Sequence, residues 1–253
     1  MLLTIDVGNS NIKFGVYEND ILKFISRVAT DKSKLEDEYA IEIKAILSLY
    51  QVKPEQIDSA VIGSVVPAVT QSLRRAARKL FAVEALVVKH DSNPRLELAV
   101  RSPGEVGADW IMAATAAKER YGAPCIIADM GTATKLIVLD KGGRMVGGSI
   151  IPGLGISINA LFSEAALLAA VNLETPERVI GDNTVSCIQS GAIYGSAAML
   201  DSLFDRMEEE LGYSCPVVAT GGLAETVVKS CRREVVYDET LLLDGLRRIF
   251  VNS

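Results

Sequence analysis

The sequence predicts an α/β protein made of two copies of one domain, and three observations carry that expectation. Apolar runs of strand length come in threes before any helical periodicity begins. That opening then recurs, because CIIADMGTATKLIVLD at 125–140 repeats the strand, polar turn and strand of LLTIDVGNSNIKFGVYE at 2–18. Within the two segments, Asp6-Val7-Gly8-Asn9-Ser10 and Asp129-Met130-Gly131-Thr132-Ala133 share the pattern Asp-x-Gly-polar-small, 123 residues apart. A repeat of that length with matching strands on both sides of each turn means two domains of one design facing each other, over 1–115 and 116–253.

In the first domain, residues 2–7, 12–17 and 21–28 read as consecutive strands joined by tight turns. A helix follows over 37–50, where Ile43, Ile46, Leu47 and Tyr50 fall at i, i+3, i+4 and i+7 and line one face. SAVIGSVV at 59–66 is a buried strand, and 67–81 is a helix opened by Pro67, whose missing N–H is harmless at a first helical position. ALVVK at 85–89 completes the order β-β-β-α-β-α-β. A helix over 105–121 leads to the second domain, where 125–140 holds two strands, 144–153 a third, and CPVVAT at 215–220 a later buried one. Pro103 and Pro152 mark turns before the next elements.

A chain of 253 residues with 49% hydrophobic content buries a sizeable core. Its 26 Lys and Arg against 32 Asp and Glu give a net charge of −6, which leaves no basic footprint for nucleic acid or an anionic membrane. The local cluster Arg74, Arg75, Arg78 and Lys79 reads as a solvated helix face. Four cysteines at 125, 187, 215 and 231 lack C-x-x-C spacing and read as reduced thiols. The start has no basic leader, and the most apolar stretch, 161–171, is broken by Glu164 and too short to span a bilayer, so a soluble cytoplasmic protein is expected. His90, the sole histidine, follows a strand-like run and reads as a surface or loop-packing residue.

The Asp-x-Gly turns carry the chemistry. A strand-turn-strand element with Gly8 at its bend exposes consecutive backbone N–H groups; Asn9, Ser10 and Asn11 add side-chain donors and Lys13 lies over the anion, so the turn can cradle phosphate oxygens. Asp6 does not help an anion directly; its use beside phosphates is to hold Mg²⁺ through water. A plain hairpin needs the glycine and one Asn, but no aspartate inside an apolar strand. The other phosphate-loop patterns, G-x-x-x-x-G-K-[ST] and G-x-G-x-x-G, are absent. VVATGGLAE at 217–225 adds a strand ending in Gly221 and Gly222, a turn that lets a flat adenine approach the backbone, although packing produces such turns too. The order of these three turns is the phosphate, phosphate, adenosine order of the actin, hexokinase and sugar-kinase group, and it implies an ATP cleft between duplicated domains.

Over nearly its whole length the chain resembles the type III pantothenate kinases. The residues that carry the resemblance are DVGNSNIKFGVY at 6–17, DEYA at 37–40, GSVVP at 63–67, EVGADWI at 105–111, DMGTATK at 129–135, GGSIIPG at 147–153, IGDNT at 180–184, QSGAIYG at 189–195 and ATGGLA at 219–224. The resemblance implies duplicated actin-like (ribonuclease H-like) ATPase domains with mixed five-stranded sheets flanked by helices. It implies transfer of the ATP γ-phosphate to pantothenate, the first step of coenzyme A synthesis, with Mg²⁺ and K⁺ or NH₄⁺, in a homodimer.

Residue by residue, the resemblance implies Asp109 as the general base; the residue alone reads equally as a charge at the start of its helix. Asp6 matches the residue governing Mg²⁺ and phosphate placement, Gly8, Asn9, Ser10, Asn11 and Lys13 the first phosphate loop, Gly131 and Thr132 the second, and Gly221 and Gly222 the adenosine turn. Asp129 corresponds to the aspartate associated with the monovalent cation. Val100, Gly107, Ala108, Asp109 and Trp110 border the acceptor, and Thr184 matches a threonine that reaches pantothenate from the partner subunit. Gly191, Gly195 and Ala198 line one helix face, which admits close approach of a second helix; internal packing explains the same stripe.

Departures from the family pattern fall near the acceptor. Where the family reads Tyr-Asp-Asn-Pro-Arg-Glu-Val-Gly-Ala-Asp-Arg, this chain reads VRSPGEVGADW: Val100 replaces a tyrosine, and Gly104 and Trp110 replace arginines. Lys135 replaces a threonine, and AALLAAV at 165–171 lacks the customary Lys-Leu-Pro-Arg. An arginine bidentate to the pantothenate carboxylate would contribute roughly 1.5–3 kcal/mol; Arg101 and Lys135 are the cations in the right neighbourhood to compensate. Trp110 reads as a stacking wall for a different acceptor or as core filler. Two competing readings follow: a kinase of the same fold acting on another small hydroxylated acceptor, and a non-catalytic regulator related to the Bvg accessory factor. The retained Asp6, Asp109 and Asp129 and the acidic balance stand against the regulator, and a filament-forming actin relative would need insertions that this chain lacks.

Overall fold

The structure is a computed structural model that describes residues 1–165 and 171–253. The chain divides into two compact units. One comprises 1–97, 101–116 and 240–253, and the other 98–100 and 117–239. The C-terminal 14 residues thus pack with the first unit rather than staying in the half where the repeat would leave them.

In the first unit, β1 (Leu2–Val7), β2 (Asn11–Glu18) and β3 (Ile21–Ala29) form an antiparallel meander. After α1 (Glu36–Leu49), β4 (Ser59–Ser64) pairs parallel to β1; after α2 (Pro67–Phe81), β5 (Leu86–Val87) pairs parallel to β4. The sheet order is β3-β2-β1-β4-β5. Alternation along β1 sends Leu3, Ile5 and Val7 into a core with Phe14, Tyr39, Ile43, Leu47 and Leu73, beneath α1 and α2. The other face takes α3 (Ala108–Tyr121) and α7 (Leu241–Asn252). The apolar stripe of α7 explains why the chain end belongs here: Leu241, Leu243, Leu246 and Ile249 are buried, and Leu243 and Leu246 reach Gly15 of β2 and Gly63 of β4.

The second unit repeats the plan. β6 (Cys125–Met130), β7 (Ala133–Leu139) and β8 (Met145–Pro152) form the meander, β9 (Val217–Thr220) pairs parallel to β6, and β10 (Val236–Tyr237) parallel to β9. The order β10-β9-β6-β7-β8 is the first sheet's order read backwards. Ile126, Ala128, Leu136 and Val138 pack under α4 (Leu154–Glu164), α5 (Thr184–Leu211) and α6 (Ala224–Val228). The 28-residue α5 is stopped at both ends by its own sequence: the Asn183 side chain accepts from the Ser186 N–H, and Gly212 takes the left-handed turn at φ 76°.

Each unit is therefore a mixed five-stranded sheet flanked by helices, the predicted fold class. The helix expected from residue 105 begins at Ala108, because Pro103–Glu105 form a separate short turn. The basic cluster on α2 is a solvated face, with Arg74, Arg75 and Lys79 paired to Glu84, Glu36 and Asp37. All four cysteines are free thiols, and burial pushes Cys125 and Cys231 up to about 12, out of reach of thiolate chemistry. His90 is exposed, and among the described residues no helix is long and apolar enough to cross a membrane.

Candidate active site

The first hairpin is held from outside. The Gly8 N–H donates to the Asn11 carbonyl at 3.0 Å and closes the turn, while the Thr30 hydroxyl donates to the Gly8 carbonyl at 2.7 Å and the Thr30 N–H to that of Ser10 at 3.0 Å. The Gly8 amide is thus used within the hairpin, and Asn9, Ser10 and Asn11 around the bend are exposed. Thr30 went unread in the sequence. Its one signal was its place just after β3, whose Ala29 pairs with Asn11 at the mouth of the turn. Asp6 and Lys13 are direct cross-strand partners and half-buried, so the structure brings the aspartate, the lysine and the turn together.

The second hairpin follows the same design. The Gly131 N–H donates to the Ala133 carbonyl at 3.1 Å, and Gly153, after β8, donates its N–H to the Thr132 carbonyl at 3.1 Å. A Cβ on Gly153 would lie 2.4 Å from the carbonyl oxygens of both Gly131 and Thr132. Gly153 is therefore a second residue the sequence reading missed, its signal being the Pro-Gly step that ends β8. At the third turn, Gly221 has φ 111°, and a Cβ there would meet the Met130 carbonyl oxygen at 2.3 Å. Packing against β6 accounts for Gly221, while Gly222 beside it is exposed. The neighbouring Thr220 hydroxyl oxygen is buried with no hydrogen-bond partner among the described residues, an unused polar group where β9 meets Asp129 of β6.

Asp129 and Lys135 are cross-strand partners in β6 and β7, as Asp6 and Lys13 are in β1 and β2. The Lys135 ammonium lies 2.6 Å from the Asp129 carboxylate, and the side chains are only 14% and 6% exposed. Lys135 is thus committed to a buried ion pair rather than offered to an acceptor carboxylate, and Arg101, the other compensating cation, is exposed.

Asp109 sits in the first turn of α3. Its carboxylate accepts from the Trp110 N–H at 3.0 Å, which holds it over the helix N-terminus, where the dipole favours negative charge. Gly107 makes room for this arrangement, since a Cβ there would lie 2.5 Å from the Asp109 carboxylate. The helix is seated through Met112, one turn on: a Cβ at Gly63 would meet its sulfur at 2.0 Å, and one at Gly245 its carbonyl oxygen at 2.1 Å. Gly63 is the sheet neighbour of Asp6, so β1, β4 and the start of α3 form one contiguous support.

Of the expected acceptor residues, Gly107, Ala108, Asp109 and Trp110 belong to the first unit, and Val100 and Thr184 to the second. Val100 is half-buried beside Ala99, whose N–H donates to the Met145 carbonyl at 2.9 Å. Trp110 is half-buried, and Thr184 is the exposed first residue of α5. Of AALLAAV at 165–171, residues 166–170 lie outside the described residues. Gly191, Gly195 and Ala198 are exposed; a Cβ at either glycine meets nothing within 4 Å among the described residues, and both glycines border a cavity lined also by Ile151, Leu154, Ile158 and Leu161 of the same unit.

Two ions implied by the resemblance can be tested against these residues. Among the described residues no group of three or more His, Cys, Asp or Glu could cage a metal. A single half-buried carboxylate, Asp6, beside the first Asp-x-Gly turn fits Mg²⁺, which keeps several waters and binds through one or two carboxylates plus substrate phosphates. A monovalent cation at Asp129 does not fit. The lysine ammonium already neutralises that carboxylate, so a second cation would meet a pair with no net charge and would have to displace the ammonium to reach the carboxylate.

Two units of one sheet topology, each presenting an Asp-x-Gly hairpin, define a protein of the actin-like ATPase fold class. Solved structures agree on the fold. A Campylobacter jejuni protein described as a conserved Baf family transcriptional activator superposes with TM-score 0.63 at 16% identity, covering 98% of this chain and 97% of that one. Component A of (R)-2-hydroxyglutaryl-CoA dehydratase from Acidaminococcus fermentans does so with TM-score 0.57 at 14% identity, covering 98% and 95%. Sequence narrows the class further. The family model for type III pantothenate kinase matches residues 2–206. Proteins named type III pantothenate kinase from Roseiflexus sp. (strain RS-1) and Exiguobacterium sp. (strain ATCC BAA-1283 / AT1b) are 44% and 40% identical over 250 residues, each alignment covering 99% of this chain and 98% of the relative. The chain belongs to the type III pantothenate kinase family.

Proposed function

We propose that this protein phosphorylates pantothenate with ATP to give 4'-phosphopantothenate, the first step of coenzyme A synthesis. The observation that carries the reading is the placement of Asp109 in a chain that belongs to the family along its length. Its carboxylate stands at a helix N-terminus supported on the strands that bear the first phosphate hairpin. Phosphoryl transfer asks the protein for positioning and charge neutralisation. Asn9, Ser10 and Asn11 of the first hairpin, with Lys13 behind them, and Gly131 and Thr132 of the second hold the phosphates, and Gly221 and Gly222 border the adenosine. Asp109 accepts the proton of the attacking hydroxyl, a step that general-base catalysis typically accelerates by roughly 10²–10⁴-fold. When bound, Mg²⁺ supplies charge neutralisation at the β- and γ-phosphates, and Asp6 is the residue to hold it through water.

The acceptor is bordered by Val100, Gly107, Ala108 and Trp110, with Thr184 contributed by the partner subunit of a homodimer. The exposure of Thr184 at the start of α5 is what that role asks for. The protein works in the cytoplasm, without nucleic-acid or membrane partners.

The test is ADP release from Mg-ATP with and without pantothenate, with Asp109→Asn as the blank. The variant keeps the oxygen that accepts from Trp110, so it should fold and bind ATP while losing transfer at least 100-fold. Unchanged turnover in the variant would remove Asp109 from the mechanism. ATP binding with no pantothenate-dependent ADP would point to another small hydroxylated acceptor, the outcome that Lys135's engagement with Asp129 favours if pantothenate fails.

A further inference from the structure

At the second Asp-x-Gly hairpin, the Lys135 ammonium occupies the place beside Asp129 where the resemblance implies a monovalent cation. We propose that the Lys135 ammonium is this protein's own cation at Asp129, so that nucleotide binding and turnover need no monovalent metal or ammonium ion from solution. The proposal rests on the pantothenate kinase reading only for its turnover measurement.

Three observations support it. Lys135 and Asp129 are opposite residues on neighbouring strands, so the backbone register itself delivers the ammonium to the carboxylate. The contact is 2.6 Å and both side chains are nearly excluded from water, a setting in which a paired charge is held and an unpaired one is costly. The first unit places Lys13 opposite Asp6 in the corresponding register, directly behind its own Asp-x-Gly turn. An aspartate that ends the first strand and a lysine that opens the second thus recur at both hairpins. In the first the lysine is half-buried and lies at the phosphate turn; in the second it closes on the aspartate. A covalently attached cation is always present, whereas a bound ion is present only as its concentration allows.

The experiment compares the wild-type protein in buffers of equal ionic strength whose only monovalent cation is tetramethylammonium, Na⁺, K⁺ or NH₄⁺. Mg-ATP dissociation constants and pantothenate-dependent ADP release should agree within twofold across the series, and K⁺ titrated against tetramethylammonium should leave the melting temperature unchanged. The variant Lys135→Thr removes the internal cation, and its ATP affinity in tetramethylammonium should fall at least tenfold and recover with K⁺. A wild-type protein whose melting temperature rises with K⁺, or whose ATP affinity or turnover rises more than twofold, would overturn the proposal. Should Lys135→Thr not fold, the wild-type series decides by itself. Absence of pantothenate turnover in every buffer would count against the acceptor assignment, while ATP affinity and melting temperature would still decide the cation question.

Discussion

Gly153→Ala tests whether the second Asp-x-Gly hairpin holds phosphate as proposed. Gly153 has φ −66° and ψ 152°, a conformation open to any residue, so alanine brings no backbone strain. What it brings is a methyl group 2.4 Å from two carbonyl oxygens, those of Gly131 and Thr132, and 2.8 Å from the Thr132 carbonyl carbon. Those atoms are backbone and cannot rotate away; ordinary contact requires the turn to retreat by about 1 Å. Overpacking of this kind costs roughly 1–3 kcal/mol of stability. A misplacement of ~1 Å in groups that position a reacting phosphate lowers turnover on the order of 100-fold. The assay is kcat and KM for ATP beside a thermal melt, with Gly155→Ala as the control. Gly155 lies two residues on in α4, where a Cβ meets nothing within 4 Å among the described residues. Gly153→Ala should lose about 10²-fold in kcat/KM for ATP while Gly155→Ala stays within twofold. A Gly153→Ala protein with wild-type ATP kinetics would refute the assignment of Gly131 and Thr132 to phosphate.

Gly245→Ala would press its methyl group against the Met112 carbonyl and push α7 off α3; a loss of about 1–3 kcal/mol in denaturant unfolding is expected, with a fall in kcat as α3 carries Asp109 with it. Glu208 accepts from Arg233 at 2.7 Å and from the Cys215 N–H at 2.7 Å, and the Arg233 hydrogen bond holds its carboxyl below the usual range against the opposing effect of burial. A carboxylate lowered on folding contributes stability above its unfolded pKa and loses it as the pH falls through the folded value. Melting temperature measured downward from pH 6 should therefore decline less steeply in Glu208→Gln than in the wild type, and parallel acid limbs would exclude this pair as a source of acid sensitivity.

The amino-acid sequence by itself determined the strands other than Val236–Tyr237 and the two Asp-x-Gly turns that mark the repeat, because these rest on local properties: period-two alternation, a glycine at a bend, and the Asp-x-Gly-polar-small pattern shared by DVGNS and DMGTA. It also carried the family, since motifs spread over 6–224 survive without any knowledge of how they meet. Tertiary structure alone decided the features that depend on residues distant along the chain. The helix at 241–252 joins the first unit because its apolar stripe fits Gly15 and Gly63, a match that its position after the second repeat conceals. Thr30 and Gly153, just past β3 and β8, hydrogen-bond to the two Asp-x-Gly turns, and their place after a strand does not state which turn they reach. Lys135, read along the chain, was a cation available to an acceptor; in the folded sheet it stands opposite Asp129, because strand register pairs side chains by hydrogen bonding across the ladder, which the order of residues along one strand does not state.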